Sequence, residues 1–354
     1  MNKGAKIYLA GHTGLVGSAL MRRLQAGGYT NLIYRDISEM DLRCQAETEA
    51  FFEREKPEYV FLAAAKVGGI MANNTYKAEF IYDNLMIAAN VINASYKFKV
   101  KKLLNLGSSC IYPKLAPQPL KEEYLLTGAL EATNEPYAVA KIAAIKLCRY
   151  YNEQYGTNFI SVMPTNQYGL FDNFNLETAH VLPAMIRKVH LAKLLMEDDL
   201  EAIRKDLNKY PVGFGMDKKG EIKAEKEIVD LLAKVGVVKG KLTLWGSGEP
   251  YREFLFSDDL ASACVYLMEN KDAKEIGELV NIGSGEDLKI KELALIIKEI
   301  VGFEGEIDWD KTKPDGTPRK LLDVSRIKDL GWRPKVGFDE GIQKTYSWYK
   351  EKMK

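Results

Sequence analysis

Three glycines constrain this chain more than any other feature. They stand three residues apart in Gly11-His12-Thr13-Gly14-Leu15-Val16-Gly17, after the short apolar run Ile7-Tyr8-Leu9-Ala10 and before Leu15 to Leu24, which has helical spacing. A tight strand-to-helix turn uses glycine for steric reasons alone. At this spacing the glycines also let the backbone approach a pyrophosphate and let the helix pack closely on the strand. The helix N-terminus then offers unpaired N–H groups and a partial positive charge to the phosphates. Residues 11–17 are therefore read as the phosphate loop of a dinucleotide site. Asp36 stands nineteen residues past Gly17, at the end of the next apolar run. A carboxylate there accepts from the adenosine ribose 2′-OH, whereas the neighbouring Arg35 suits a 2′-phosphate. Their side chains point opposite ways, and an exposed Arg-Asp turn accounts for the pair equally well.

Further apolar runs at Tyr59–Ala64, Lys102–Leu106 and Phe159–Met163 alternate with helical stretches at 46–54, 81–95 and 138–155. Unalternating strands separated by helices predict a parallel sheet covered on both faces. The expected fold is α/β: a Rossmann-type, doubly wound domain over residues 1–165, with later segments returning to it. A smaller α/β substrate-binding domain is expected over residues 166–354. Within it, residues 196–240 are highly charged, with two amphipathic helices around Tyr210-Pro211-Val212-Gly213, and read as a solvated surface insertion.

The composition narrows the class of function. In 354 residues, 46% are apolar, which supports a large core. Fifty Lys and Arg stand against 49 Asp and Glu, a net charge of +1, without the basic excess of a nucleic-acid or anionic-membrane binder. No run approaches the length of a bilayer span, and the N-terminal segment has no secretory pattern. Cys44, Cys110, Cys148 and Cys264 lack CxxC spacing, so neither a disulfide framework nor a metal site is expected. A cytoplasmic protein is the expectation.

Tyr137 and Lys141 lie at i and i+4, on one face of a helix that Pro136 helps to start. Tyrosine ionises near ~10, and an ammonium beside it favours the phenolate, making an acid/base group for carbonyl chemistry. Ser108 closes the fourth strand, where ligands of doubly wound sheets bind. There it can bond a substrate carbonyl or merely satisfy the strand end. Cys110 follows two residues later; Cys44, Cys148 and Cys264 read as small buried hydrophobes. Of the three histidines, His12 lies in the glycine loop and His190 on a basic helix, expected at the surface. His180 precedes a helix, after the loop Gly169 to Asn175.

Together these residues resemble the extended short-chain dehydrogenase/reductases, and within them the GDP-L-fucose synthase family. The resembling segments are Ala63 to Ile70 (AAAKVGGI), Ala72 to Tyr76, Leu106 to Pro113, Asn134 to Tyr137, Met163 to Asn166, Trp245 to Gly248, Arg252 to Phe254 and Lys313 to Lys320 (KPDGTPRK). They span nearly the whole chain. The resemblance implies that Ser108, Tyr137 and Lys141 form the reductase triad, and that Cys110 and His180 are the epimerase base and acid. It also implies that Lys188, Trp245, Arg252 and Asp315 hold a GDP-sugar. Leu106, Gly107, Ser108 and Ser109, with Pro164, Thr165, Asn166 and Gln167, would line the dinucleotide. The implied cofactor is NADPH, with NADH possible because Thr13 and Ile37 stand where bacterial relatives often carry arginine. A homodimer is implied, and no metal.

The implied activity is C3/C5 epimerisation of GDP-4-keto-6-deoxy-D-mannose followed by reduction at C4. Enzymes of the GDP-colitose and GDP-heptose type are alternatives. A nucleotide-sugar 4,6-dehydratase or 4-epimerase is a weaker one, since related dehydratases carry a carboxylate where Cys110 stands. A cofactor-sensing regulator has no need of Tyr137 and Lys141 together.

Overall fold

The computed structural model describes residues 1–217 and 224–353. Its elements begin with β1 (Ile7–Ala10), α1 (Leu15–Ala26), β2 (Leu32–Ile33), α2 (Gln45–Glu55), β3 (Tyr59–Leu62), α3 (Ile70–Thr75), α4 (Lys77–Lys97) and β4 (Lys102–Leu106). They continue with α5 (Glu135–Tyr155), β5 (Phe159–Pro164), β6 (Asn166–Tyr168), α6 (Val181–Met196), α7 (Leu200–Lys209), α8 (Glu225–Lys234), β7 (Val237–Val238), β8 (Lys241–Trp245) and β9 (Tyr251–Phe256). The last are α9 (Ser257–Asn270), α10 (Ala273–Ile276), β10 (Val280–Ile282), β11 (Asp287–Lys289), α11 (Ile290–Val301), β12 (Glu306–Asp310), α12 (Ser325–Asp329) and α13 (Phe338–Met353).

The chain folds into two compact units. The first comprises Met1–Gln167, Glu253–Glu286 and Leu321–Lys335. Its parallel sheet has six strands in the order β10-β5-β4-β3-β1-β2, so the winding reverses between β1 and β3. Successive side chains of a strand face opposite ways. Accordingly Ile7 and Leu9 join one core with Leu20, Leu24 and Leu260, while Tyr8 and Ala10 join another with Phe51, Phe52 and Val91. Because both faces are covered, β1, β4 and β5 are buried throughout, which is why they read as unbroken apolar runs.

The second unit comprises Tyr168–Arg252, Asp287–Lys320 and Val336–Lys354. In it β8 lies between parallel β12 and antiparallel β7, and α11 packs against α6 and α13. Two expectations fail here. His190 is buried rather than superficial, its Nδ1 3.0 Å from the Tyr346 hydroxyl; α13, whose helical period sequence reading passes over, covers it. The charged stretch 196–240, of which 218–223 lie outside the described residues, is not simply a solvated insertion. Ile203 and Leu207 of α7 and Ile228 and Leu232 of α8 are fully buried. Asp206 accepts from the buried Arg187 Nε at 2.8 Å and from the Tyr349 hydroxyl. Charged residues sit on the outer faces of these helices while an apolar stripe fastens them down. Cys44 also departs from expectation: it is half-buried, at the start of α2.

Candidate active site

In the first unit the glycine loop joins β1 to α1 at the reversal of the sheet. Gly11 adopts φ +85°, and a Cβ there would come within 2.7 Å of the Ala64 backbone, because β1 and β3 are adjacent. A Cβ on Gly17 would collide with the Gly11 carbonyl. Gly14 differs. An added Cβ would meet only the Gly11 oxygen, at 3.7 Å, an ordinary contact. Nothing in the protein itself requires glycine at that position, whereas backbone approach to a pyrophosphate does. The start of α1 likewise has no side-chain cap and no acidic residue in its first turn. Such an end suits an anion, so the residues present fit a dinucleotide.

At the end of β2 the two candidate discriminators part company. Arg35 turns to Glu55, with Nη2 3.2 Å from the carboxylate, and its guanidinium lies 5.6 Å from the Phe51 ring centre. Asp36 stays half-exposed, 3.8 Å from His12 Nε2. The His12 ring lies 4.4 Å from that of Tyr34, and its Nδ1 is buried without a hydrogen-bond partner.

The end of β4 and the start of α5 bring the reductase candidates together. Lys141 is buried, and its Nζ donates to the Leu106 carbonyl at 2.8 Å while lying 5.7 Å from the Tyr137 ring centre. Phe80 packs edge-on against Tyr137. Ser108 begins the short helical turn Ser109–Ile111, its Oγ accepting from the Cys110 N–H at 3.4 Å. Cys110 is buried, and its thiol is close enough to act electrostatically on both Tyr137 and Lys141. Burial pushes Lys141 down to about 8, against the charge of Cys110. Burial, with Cys110, also raises Tyr137 above its ordinary value. Sequence predicts the opposite direction for this phenol; the difference arises from burial of the phenol, with Cys110 adding to it. Tyr137 thus keeps its proton and stands as a donor.

The other residues nominated to line the dinucleotide also make contacts within this unit. Gly107 has no room for a side chain beside Met163. Ser109 is buried. Thr165 Oγ1 and Asn166 Nδ2 donate to the Glu253 carbonyl at 3.2 and 2.8 Å, and Gln167 Nε2 to the Thr165 carbonyl. Sequence reasoning gave Glu253 no role. Its buried carboxylate accepts the Gly285 and Leu322 N–H groups at 2.8 and 2.9 Å, joining three chain segments.

In the second unit His180 immediately precedes α6. It keeps solvent access, yet the surrounding protein and the Lys320 charge hold its pKa below the ordinary histidine range, so the ring is neutral at pH 7. Lys188, two turns along α6, has its Nζ 5.4 Å from the Trp245 ring centre, and burial lowers it to about 8. Trp245 ends β8 with half its surface exposed. Both Asp315 carboxylate oxygens are engaged by Ser247, through its N–H at 2.9 Å and its hydroxyl at 2.6 Å. Arg252 donates to the Thr317 carbonyl at 2.6 Å; burial lowers its pKa, and Asp315 opposes that. Lys188, Trp245, Arg252 and Asp315 therefore form one basic, aromatic-faced cluster.

The model of the NAD dependent epimerase/dehydratase family matches residues 7–207 and 209–283. The chain belongs to that family. It is 51% identical over 353 residues to a putative GDP-L-fucose synthase 2 of Arabidopsis thaliana, covering 100% of this chain and 94% of the relative. It is 44% identical over 352 residues to the GDP-L-fucose synthase of Escherichia coli K12, covering 98% and 97%. Among solved structures, a GDP-6-OMe-4-keto-L-xylo-heptose reductase from C. jejuni shares 43% identity, with a TM-score of 0.93 and 99% of both chains covered. An NADP-bound GDP-L-fucose synthetase from Naegleria fowleri shares 26% identity, with a TM-score of 0.78 and 99% and 95% covered. Among the described residues, no helix is long and apolar enough to cross a membrane.

Proposed function

We propose that this member of the family is a bifunctional epimerase/reductase. It converts GDP-4-keto-6-deoxy-D-mannose to GDP-L-fucose with NADPH, in the cytoplasm and as a homodimer. The observation that carries the reading is the thiol of Cys110, buried at the end of β4 beside Tyr137 and Lys141. A plain ketone reductase needs no such base.

The chemistry follows from the substrate. In a 4-keto sugar the hydrogens at C3 and C5 are both α to the carbonyl, so removing either leaves an enolate. Ser108 and Tyr137 are assigned as the donors to the enolate oxygen. The Cys110 thiolate takes the proton from carbon, and a proton returned to the other face inverts the centre. His180 is assigned that return; being neutral at rest, it must take up a proton before giving one. Residues 11–17 would hold the pyrophosphate of a reduced dinucleotide, which would supply hydride for C4. Tyr137 then gives its proton to the C4 oxygen, and the Lys141 ammonium offsets the phenolate left behind. In the second unit, Lys188 and Arg252 are assigned to the diphosphate and Trp245 to the base, with Asp315 holding the Ser247 turn.

Incubation with GDP-4-keto-6-deoxymannose and NADPH, with identification of the product, tests the reading; GDP-L-fucose is expected. The likeness to a C. jejuni heptose reductase favours a second reading, a GDP-4-keto-heptose substrate. Turnover of that ketone with none of the deoxyhexose would establish it instead. Light scattering at micromolar protein, expected to give twice the chain mass, tests the dimer.

A further inference from the structure

Within the charged stretch after α6, the segment following α7 is the part that neither fold nor function has absorbed. Between α7 and the next described helix, the chain makes a turn, Tyr210 to Asp217, whose backbone is held in an uncommon state. Gly213, Phe214 and Gly215 have φ of +88°, +56° and +68° in succession. For the two glycines this is easy. For phenylalanine the left-handed region is costly, because its Cβ crowds the following carbonyl. Surrounding bonds enforce it. The two Asp217 carboxylate oxygens accept the Val212 and Gly213 N–H groups at 2.8 and 3.0 Å, and Glu177 Oε2 accepts the Phe214 N–H at 2.9 Å. A Cβ on Gly213 would come within 2.6 Å of Glu177, so the turn packs directly on the segment leading to His180. Buried Arg187 ties the same two segments together, donating to the Phe174 carbonyl at 3.0 Å and to that of Tyr210.

What this arrangement positions is a ring. Phe214 is only partly buried, and its ring centre lies 6.3 Å from that of Trp245 at an angle of 52°. Lys188 and Lys313 place ammonium groups 5.4 and 5.5 Å from the same Trp245 centre. Two tilted aromatic rings, one half-exposed, flanked by two ammonium groups, match the two halves of a nucleoside diphosphate. The rings offer stacking and edge contact to a base, and the ammonium groups offer charge to phosphates. Strained backbone that surrounding bonds enforce is found where it places a functional side chain.

We propose that Phe214 is a base-binding residue, forming with Trp245 the aromatic corner that receives the purine of a nucleoside diphosphate sugar. This rests on the GDP-sugar reading above. It assigns substrate recognition to the inserted segment, and it links base binding to the His180 segment through Glu177.

Calorimetric titration of the full chain with GDP tests it, alongside steady-state kinetics on the GDP-sugar. Phe214→Ala should weaken GDP binding about tenfold, as expected for loss of one base–aromatic contact. It should raise KM for the GDP-sugar by a similar factor, with kcat and NADPH affinity within about twofold of the unaltered protein. Phe214→Tyr retains the ring and should keep the original affinity. GDP binding by Phe214→Ala within twofold of the unaltered protein would overturn the assignment, as would a fall in kcat with KM unchanged. Should the unaltered protein itself fail to bind GDP, the GDP-sugar reading falls and this assignment with it.

Discussion

Lys141 offers the sharpest test of the first unit, because its environment sets activity and stability against each other. Its buried ammonium donates to the Leu106 carbonyl at 2.8 Å, and burial lowers its pKa from 10.5 to about 8. Keeping it charged in the fold therefore costs roughly 3 kcal/mol, by the free-energy equivalent of that lowering. Between pH 8 and 10.5 the unfolded chain still holds a proton that the folded chain has released. Stability from this group accordingly rises with pH across that window, and the full cost is present below it. Catalysis runs the other way. If the ammonium offsets the Tyr137 phenolate, kcat must fall as pH rises through about 8.

Saturating substrate separates this from Lys188, which is also lowered to about 8 and whose assigned role places its effect in KM. In Lys141→Met the buried charge is gone. Its kcat should drop at least about 100-fold, a typical loss for acid–base machinery. Its melting temperature at pH 7 should equal or exceed that of the unaltered protein, and the stability gap should close by pH 10.5. The assays are kcat from NADPH consumption over pH 6 to 10 and thermal unfolding over pH 6 to 10.5. A kcat that stays level to pH 9.5, or a methionine variant strongly destabilised at pH 7, would refute the reasoning.

Replacing Cys110 by Ser removes the thiol assigned as the base, so exchange of the C3 and C5 hydrogens with solvent deuterium should be lost. Slow reduction of the unepimerised ketone should survive, and normal L-fucose formation with full exchange would sink the base assignment. Gly14→Ala should weaken NADPH binding without lowering the melting temperature, since the new Cβ meets only an ordinary contact; Gly17→Ala should cost stability through its collision with Gly11. Equal melting losses for the two would contradict the phosphate-loop account. Asp206→Ala leaves the Arg187 guanidinium buried without its carboxylate and should cost about 3–5 kcal/mol in urea unfolding. A loss below about 1 kcal/mol would mean that the pair is dispensable.

Much of the first unit was legible because its physics is local. Glycine spacing at 11, 14 and 17 and buried strands such as β4 and β5 leave direct marks in sequence, and Tyr137 and Lys141 share a face through helical period alone. What sequence hid was tertiary. His190 sits among lysine and arginine in the chain and is buried only because α13 returns from far away to cover it. The stretch 196–240 is dominated by charge, yet a few apolar residues and one buried ion pair decide its packing. The direction of the Tyr137 shift comes from burial and from Cys110, and spacing along a helix carries no information about either. Phe214 left no signal at all. Its importance lies in a backbone state and in a neighbour, Trp245, thirty-one residues on.

A lowered lysine does not by itself mark a functional site, and the chain contains its own control. Lys102, at the start of β4, is buried and lowered to about 8, as Lys141 is. Its Nζ donates to the carbonyls of Leu267, Met268 and Lys271 at the end of α9, with Asp272 and Glu275 opposing the lowering. They lie where a helix C-terminus runs out of backbone donors, although the Leu267 carbonyl also accepts the Lys271 N–H, and a cation there is worth its burial in stability alone. The two lysines share a strand, β4, as well as a pKa: one lies at its start and the other bonds the carbonyl at its end. What separates them is company. Lys102 meets the carbonyls of a helix end, whereas Lys141 meets one carbonyl, a phenol that keeps its proton and a buried thiol. In a doubly wound sheet, ligands gather at the C-terminal ends of the strands. A buried ammonium is therefore a structural cap at one end of β4, and at the other, by the reading proposed above, an instrument of proton transfer.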